Sequence, residues 1–196
     1  MRPSSERPRP RAGVSFTRGL VVAVIGVIGV IGAGGIGGAL SGCSPALNWR
    51  KLSPEGAQLT LMFPCKPERE SRSQPGPAGQ AVTVTTLSCK ARGEQYSLTW
   101  TDLGDAGAAS PAMRRMHEGI ARQMAPQASA PLGVRGITPD PQAFQQAFEA
   151  GSGQGRQQVR QAVFSRGAFL YQVLMQGERV DAEAWDVFLG SVELPA

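Results

Sequence analysis

The hydrophobic residues fall into three patterns along the chain. From Leu20 to Leu40 they are unbroken, with only Val, Ile, Leu, Ala and Gly over 21 positions. From about residue 58 they alternate with polar residues, as half-buried strands require. Strands are predicted at 58–63, 80–90 and 94–102, the last with Tyr96, Leu98 and Trp100 on one face against Ser97 and Thr99. Ala91-Arg92-Gly93 supplies the turn between the second and third. Further strands are expected near 143–149, 157–165 and 168–176, joined by GSGQG (151–155) and by Arg166-Gly167.

A helical period interrupts this series. Met113, Met116, Ile120 and Met124 recur at three- and four-residue spacing, and Pro126 ends the pattern. Ser110 and Pro111 suit the N-cap and first helical position. The methionine stripe reads as core, although such stripes also line adaptable binding surfaces. Arg114, Arg115 and Arg122 read as a solvated face. A second helix, capped by Asp181, carries Trp185, Phe188 and Leu189 on one side. The proline-rich stretches 66–80 and 126–141 are expected to be loops.

The unbroken run determines how the charge is read. Residues 1–42 hold five arginines and one acid, a net of +4, whereas 43–196 hold 15 basic and 14 acidic residues, a net of +1. The basic character belongs to the leader, so a nucleic-acid-binding body loses its main support. Arg outnumbers Lys 17 to 3, a bias common in GC-rich bacterial genomes. Gly32 to Gly37 matches G-x-G-x-x-G, but Pro45 and Pro54 interrupt the helix that a dinucleotide fold needs next. An arginine-rich start (1–19), an apolar segment (20–40) and small residues before a cysteine instead describe an export signal over 1–42.

Leu40-Ser41-Gly42-Cys43 resembles the bacterial lipobox. The resemblance implies cleavage between Gly42 and Cys43, with diacylglyceryl on the Cys43 thiol and a tether over 43–57 leading to one domain at 58–196. The partner implied is membrane lipid held through acylated Cys43, in the envelope and facing the periplasm. In lipoprotein sorting, Ser44 resembles an outer-membrane address. An uncleaved single-pass anchor stays open beside this, because ~20 apolar residues span a bilayer. Seven glycines in that run weaken it as a helix. Both readings export the body.

With Cys43 acylated, Cys65 and Cys89 form an even pair in an oxidising compartment. They end the candidate strands LTLMFPC and VTVTTLSC, and an antiparallel pairing of these across the loop 66–80 would bring the sulfurs together. The cysteines and His117 offer three candidate ligands, too few for a zinc site with four protein ligands. No nucleophile or carboxylate is placed by sequence to act in catalysis with His117, the one histidine. No catalytic, metal or cofactor residue is therefore assigned.

The element order is strand, long loop, hairpin, helix, three strands, helix. Phe63-Pro64, the strand Phe169-Leu170-Tyr171-Gln172-Val173, and Phe188 with Ser191-Val192-Glu193-Leu194 resemble PsbP-like proteins. That resemblance implies an α+β fold, an antiparallel β-sheet packed between helices (an αβα sandwich), and an accessory or binding role with an envelope protein as partner. Its motifs are packing motifs, so no functional residue follows from it.

Overall fold

The computed structural model describes residues 47–195, apart from 78, 125–127 and 152. The chain divides into two compact units, Met1–Ser41 and Gly42–Ala196. All buried core residues described below lie in the second, which closes its own core. The apolar run 20–40, Gly42 and Cys43 lie outside the described residues. No helix among the described residues is long and apolar enough to cross a membrane.

The domain is α+β. Its chain order is β1 (Arg50–Leu52), β2 (Leu61–Phe63), β3 (Glu68–Pro75), β4 (Ala81–Ala91), β5 (Glu94–Asp102), α1 (Ala109–Gln123), β6 (Ala128–Ala130), β7 (Phe144–Ala150), β8 (Gln157–Arg166), β9 (Phe169–Gly177) and α2 (Ala182–Gly190). β1 and β2 form a two-stranded antiparallel sheet, and the other seven strands form one antiparallel sheet in the order β3-β4-β5-β9-β8-β7-β6.

Register sorts the large sheet into two faces. Leu87, Leu98, Val173 and Ala162 form one cross-strand row, beside a row of Trp100, Tyr171 and Phe164. This face packs against α2, through Trp185, Phe188 and Leu189, and against the β1–β2 layer. Phe188 touches Phe63 and Tyr96 edge-on, with ring centroids 5.2 and 5.4 Å apart, a preferred aromatic geometry. Leu170 points the opposite way from Tyr171, as strand alternation demands. There it packs against Leu103, Ala109 and Ala112. The two helices thus lie on opposite faces.

Residues 47–57, expected as part of the tether, are more than that. Leu47, Trp49 and Leu52 pack on the core, Ala57 is fully buried, and Trp49 stacks edge-on with Tyr96 at 6.0 Å. A run that pairs through three residues of β1 is too short to show a period. The stretch 66–80, expected as a loop, contains the eight-residue edge strand β3. All eight positions of β3 are exposed, so no alternation marks it. Its alternating Glu and Arg side chains guard a sheet edge against unwanted pairing. β6 similarly emerges from the proline-rich stretch 126–141.

Three local expectations shift. α1 begins at Ala109, after a 3-10 turn at Ala106–Ala108 whose N-cap is Asp105, accepting from the Gly107 amide at 2.9 Å. Ser110 does not cap; its hydroxyl donates to Asp140 at 3.2 Å. The β8–β9 turn is Gly167-Ala168, one residue later than expected, with Gly167 at φ +55°. The Arg92-Gly93 turn has positive φ at both residues, 52° and 84°, the twist-matched form for a two-residue hairpin. Asp181 caps α2 as expected, accepting from the Glu183 and Ala184 amides.

Candidate functional site

Cys65 and Cys89 are joined by a disulfide, with Cα atoms 6.0 Å apart and 24 residues of separation. The route to it differs from the expectation. β2 pairs with β1 rather than with β4. The bond therefore runs between layers, from just after β2 to Cys89 in the large sheet, where Cys89 stands opposite Tyr96. It fastens the small sheet over the α2 face.

His117 is on the exposed side of α1, stacked on Phe144 with centroids 4.8 Å apart. Among the described residues it makes no hydrogen bond or ion pair with a serine or an acid. The methionine stripe is core at its start, where Met113 is fully buried, and half-buried at Met116, Ile120 and Met124. GSGQG bends through Gly151 (φ +85°) and a 3-10 turn, and the following Arg156 pairs with Glu149 at 3.1 Å. It serves as the β7–β8 connection. Among the described residues, no group of three or more His, Cys, Asp or Glu side chains could hold a metal ion.

The structure adds a buried polar cluster. Glu94 is only 7% exposed, and both its oxygens are engaged. Oε2 accepts from the Tyr96 hydroxyl at 2.8 Å, and Oε1 accepts from the Asp181 amide at 2.7 Å. Burial first, then the hydrogen bond and charge of Glu94, hold the Tyr96 phenol well above its ordinary pKa. This cluster joins the β4–β5 turn to the start of α2. Its only sequence signal is the spacing Glu-x-Tyr, which puts both side chains on one face of a strand. At the other end of the domain, Glu193 accepts from Lys51 at 2.6 Å and from Thr60 at 3.2 Å. The Lys51 hydrogen bond, then that of Thr60, holds its carboxyl below the ordinary value.

Four buried polar atoms lack partners among the described residues: Thr101 Oγ1, Gln146 Nε2, Tyr171 OH and Trp185 Nε1. Gln146 and Trp185 line one cavity of about 90 Å³ beside β6. Burial pushes the Tyr171 phenol up to about 12.

Thr101 lines a cleft of about 590 Å³ between α1 and the β3–β4 turn. That volume lies within the ~300–1,000 Å³ typical of small-molecule sites. Its walls are apolar at Val82, Leu103, Ala112, Met116 and Leu170, and Arg115 is its single charged residue. Thr101 is 7% exposed, and an unpaired buried hydroxyl costs about 1–3 kcal/mol. Sequence reasoning placed Arg115 on a solvated face and did not identify the cleft. Its residues come from five separate elements and two connecting segments, which no local pattern connects.

No family model matches the chain, and no curated protein matches it. Among solved structures, a protein of Bacteroides thetaiotaomicron VPI-5482 is similar over 74% of this chain and 48% of its own, at 9% identity and a TM-score of 0.46. The chain thus spans about half the length of that protein.

Proposed function

We propose that this is a lipid-anchored, non-catalytic protein of the bacterial envelope, facing the periplasm, whose small α+β domain is a binding or accessory module. The observation that carries the reading is the distribution of the three cysteines. Cys65 and Cys89 bond each other, so Cys43 is the one cysteine outside that bond. A disulfide belongs to an oxidising compartment, and Cys43 ends the LSGC motif directly after 21 apolar residues. Acylation of Cys43, with cleavage after Gly42, accounts for both facts. Two or more acyl chains hold a protein on a membrane where one binds only marginally, and Ser44 favours the outer membrane.

A PsbP-like domain is the fold we assign to the module. Its support is the antiparallel sheet with α1 and α2 on opposite faces, together with the packing roles of Phe63, Tyr171, Val173 and Phe188. The near-neutral body supports an envelope protein as partner rather than nucleic acid. A hydrolase would need His117 oriented as a base, and its stacking on Phe144 supplies no such orientation.

Mass spectrometry of the purified full-length product tests the anchoring. A chain starting at Cys43 with added acyl mass is expected, and Cys43→Ala should abolish the modification. An intact Met1–Arg18 segment would establish the other reading, an uncleaved single-pass anchor, which the length of the 20–40 run favours. In-cell crosslinking from the domain surface should recover an envelope protein. A His117→Ala strain should keep its phenotype; loss of function there would revive catalysis.

A further inference from the structure

We infer that the cleft between α1 and the β3–β4 turn binds a single-chain amphiphile with a carboxylate head, of the kind a free medium-chain fatty acid presents. The inference deepens the binding role proposed above and rests on it.

The chemistry of the walls selects the ligand. Val82, Leu103 and Ala112 are each at most 8% exposed and form a buried apolar floor. Met116 and Leu170, both half-buried, extend that surface toward the mouth. A volume of about 590 Å³ equals about twenty waters at ~30 Å³ each, room for one hydrocarbon chain. Methionine adapts its shape to such a chain better than a branched residue would.

The polar groups are few and of one sign. Arg115 is exposed, and no ion pair occupies it among the described residues. No Asp or Glu lines the cleft. The one charge in its lining therefore suits an anion, and a guanidinium fork matches a carboxylate in geometry. Thr101 adds an unpartnered hydroxyl in a residue more than nine-tenths buried. A carboxylate paired with Arg115 answers the one charge of the lining, while its chain lies on the apolar floor beside Thr101.

The cleft is also preformed. The Gln80 side chain donates to the Leu103 carbonyl at 3.2 Å, tying the turn to the floor. Gly76 lies so close to Val82 that a Cβ would approach it to 2.7 Å, so the rim holds its position only without a side chain there.

The test is isothermal titration of the self-contained Gly42–Ala196 unit, carrying Cys43→Ala, with sodium hexanoate, octanoate and decanoate below their micelle concentrations. Affinity should rise about two- to fourfold for each added methylene, the upper value matching full burial. Decan-1-ol should bind at least tenfold more weakly than decanoate. Arg115→Gln should weaken decanoate about 10–100-fold, as loss of a charged hydrogen bond does, and leave decan-1-ol unchanged. Thr101→Val should cost about 3–10-fold. Met116→Trp, which fills the cleft, should remove binding of both while circular dichroism stays native. Undetectable binding of decanoate at millimolar concentration would overturn the inference. So would equal affinity for decan-1-ol, or an Arg115→Gln variant that binds decanoate normally. Because Arg115 is exposed, that variant reads the site even if Met116→Trp fails to fold. The anchoring is read separately from the mass of the full chain, so either reading can fail alone.

Discussion

Removing the Cys65–Cys89 bond tests the layer-to-layer fastening most directly. The two residues are 24 apart in sequence, and closing a loop of ~24 residues removes about 11.6 cal/mol/K of entropy from the unfolded chain. At 25 °C that is about 3.5 kcal/mol. Domains of this size are stable by only about 5–15 kcal/mol, so the bond supplies a quarter or more of the total. Both cysteines are half-buried, so replacing them with alanine adds little cavity cost. The variant is Cys65→Ala with Cys89→Ala, compared with its parent in a Cys43→Ala background to silence the third thiol. Tryptophan fluresence during urea unfolding follows the transition through Trp49, Trp100 and Trp185. With a urea slope of ~2 kcal/mol/M, the midpoint should fall by about 1.7 M, and Tm by roughly 7–14 °C. Reduction of the parent should reproduce the variant. A midpoint shift below about 0.5 M, which is about 1 kcal/mol at that slope, would refute the reasoning. So would two titratable thiols in the native parent.

Two further outcomes follow from the buried polar groups. Tyr171→Phe deletes a hydroxyl that has no partner, so stability at pH 7 should rise by about 1 kcal/mol in urea melts, and a loss of that size would contradict the burial argument. The Tyr171 phenol titrates from 10 in the unfolded chain to about 12 in the fold. Its contribution is complete below pH 10 and is lost as pH rises from 10 through about 12. The Phe variant should therefore lose less stability over that window, and an unchanged alkaline slope would count against it. Glu94→Ala strands the Tyr96 hydroxyl and the Asp181 amide and should cost about 2–4 kcal/mol. Glu94→Gln, which keeps an acceptor, should cost less; equal midpoints for the two variants would show the hydrogen bonds to be immaterial.

The central strands were legible because their two faces differ. Tyr96, Leu98 and Trp100 in β5 are buried on one face and alternate with polar residues. In β9, Tyr171, Val173 and Met175 are buried and alternate with half-buried neighbours, two of them Gln172 and Gln176. β3 was illegible for the opposite reason: as an exposed edge it has no buried face to impose a period. β1 and β6, with three residues each, are too short to carry one. The disulfide partners followed from compartment and counting, but the pairing geometry did not. β2 finds its strand partner eleven residues before itself, Phe63 opposite Arg50 and Leu61 opposite Leu52, and nothing local distinguishes this from pairing with β4. The position of Ser110 resembled an N-cap, yet Asp105 five residues earlier begins a preceding turn. The cleft depends on Val82, Thr101, Ala112, Arg115 and Leu170 meeting in space, which only tertiary packing decides.

The cross-layer bond also sets how the domain bears tension from its N-terminal side. A pull there first meets Leu47 and Trp49 on the core and the hydrogen bond from the Asn48 amide to the Pro64 carbonyl. It then meets β1, whose three-residue pairing with β2 opens one bond at a time. Peeling can then proceed through β2 and the Thr60–Glu193 bridge only as far as Cys65. At that point the covalent link passes the load straight to Cys89 in β4, which is flanked on both sides by paired strands. Residues 66–88 drop out of the force path. The strands around β4 must then shear together rather than unzip, so the first two strands act as a short extensible leader in front of a stiff sheet.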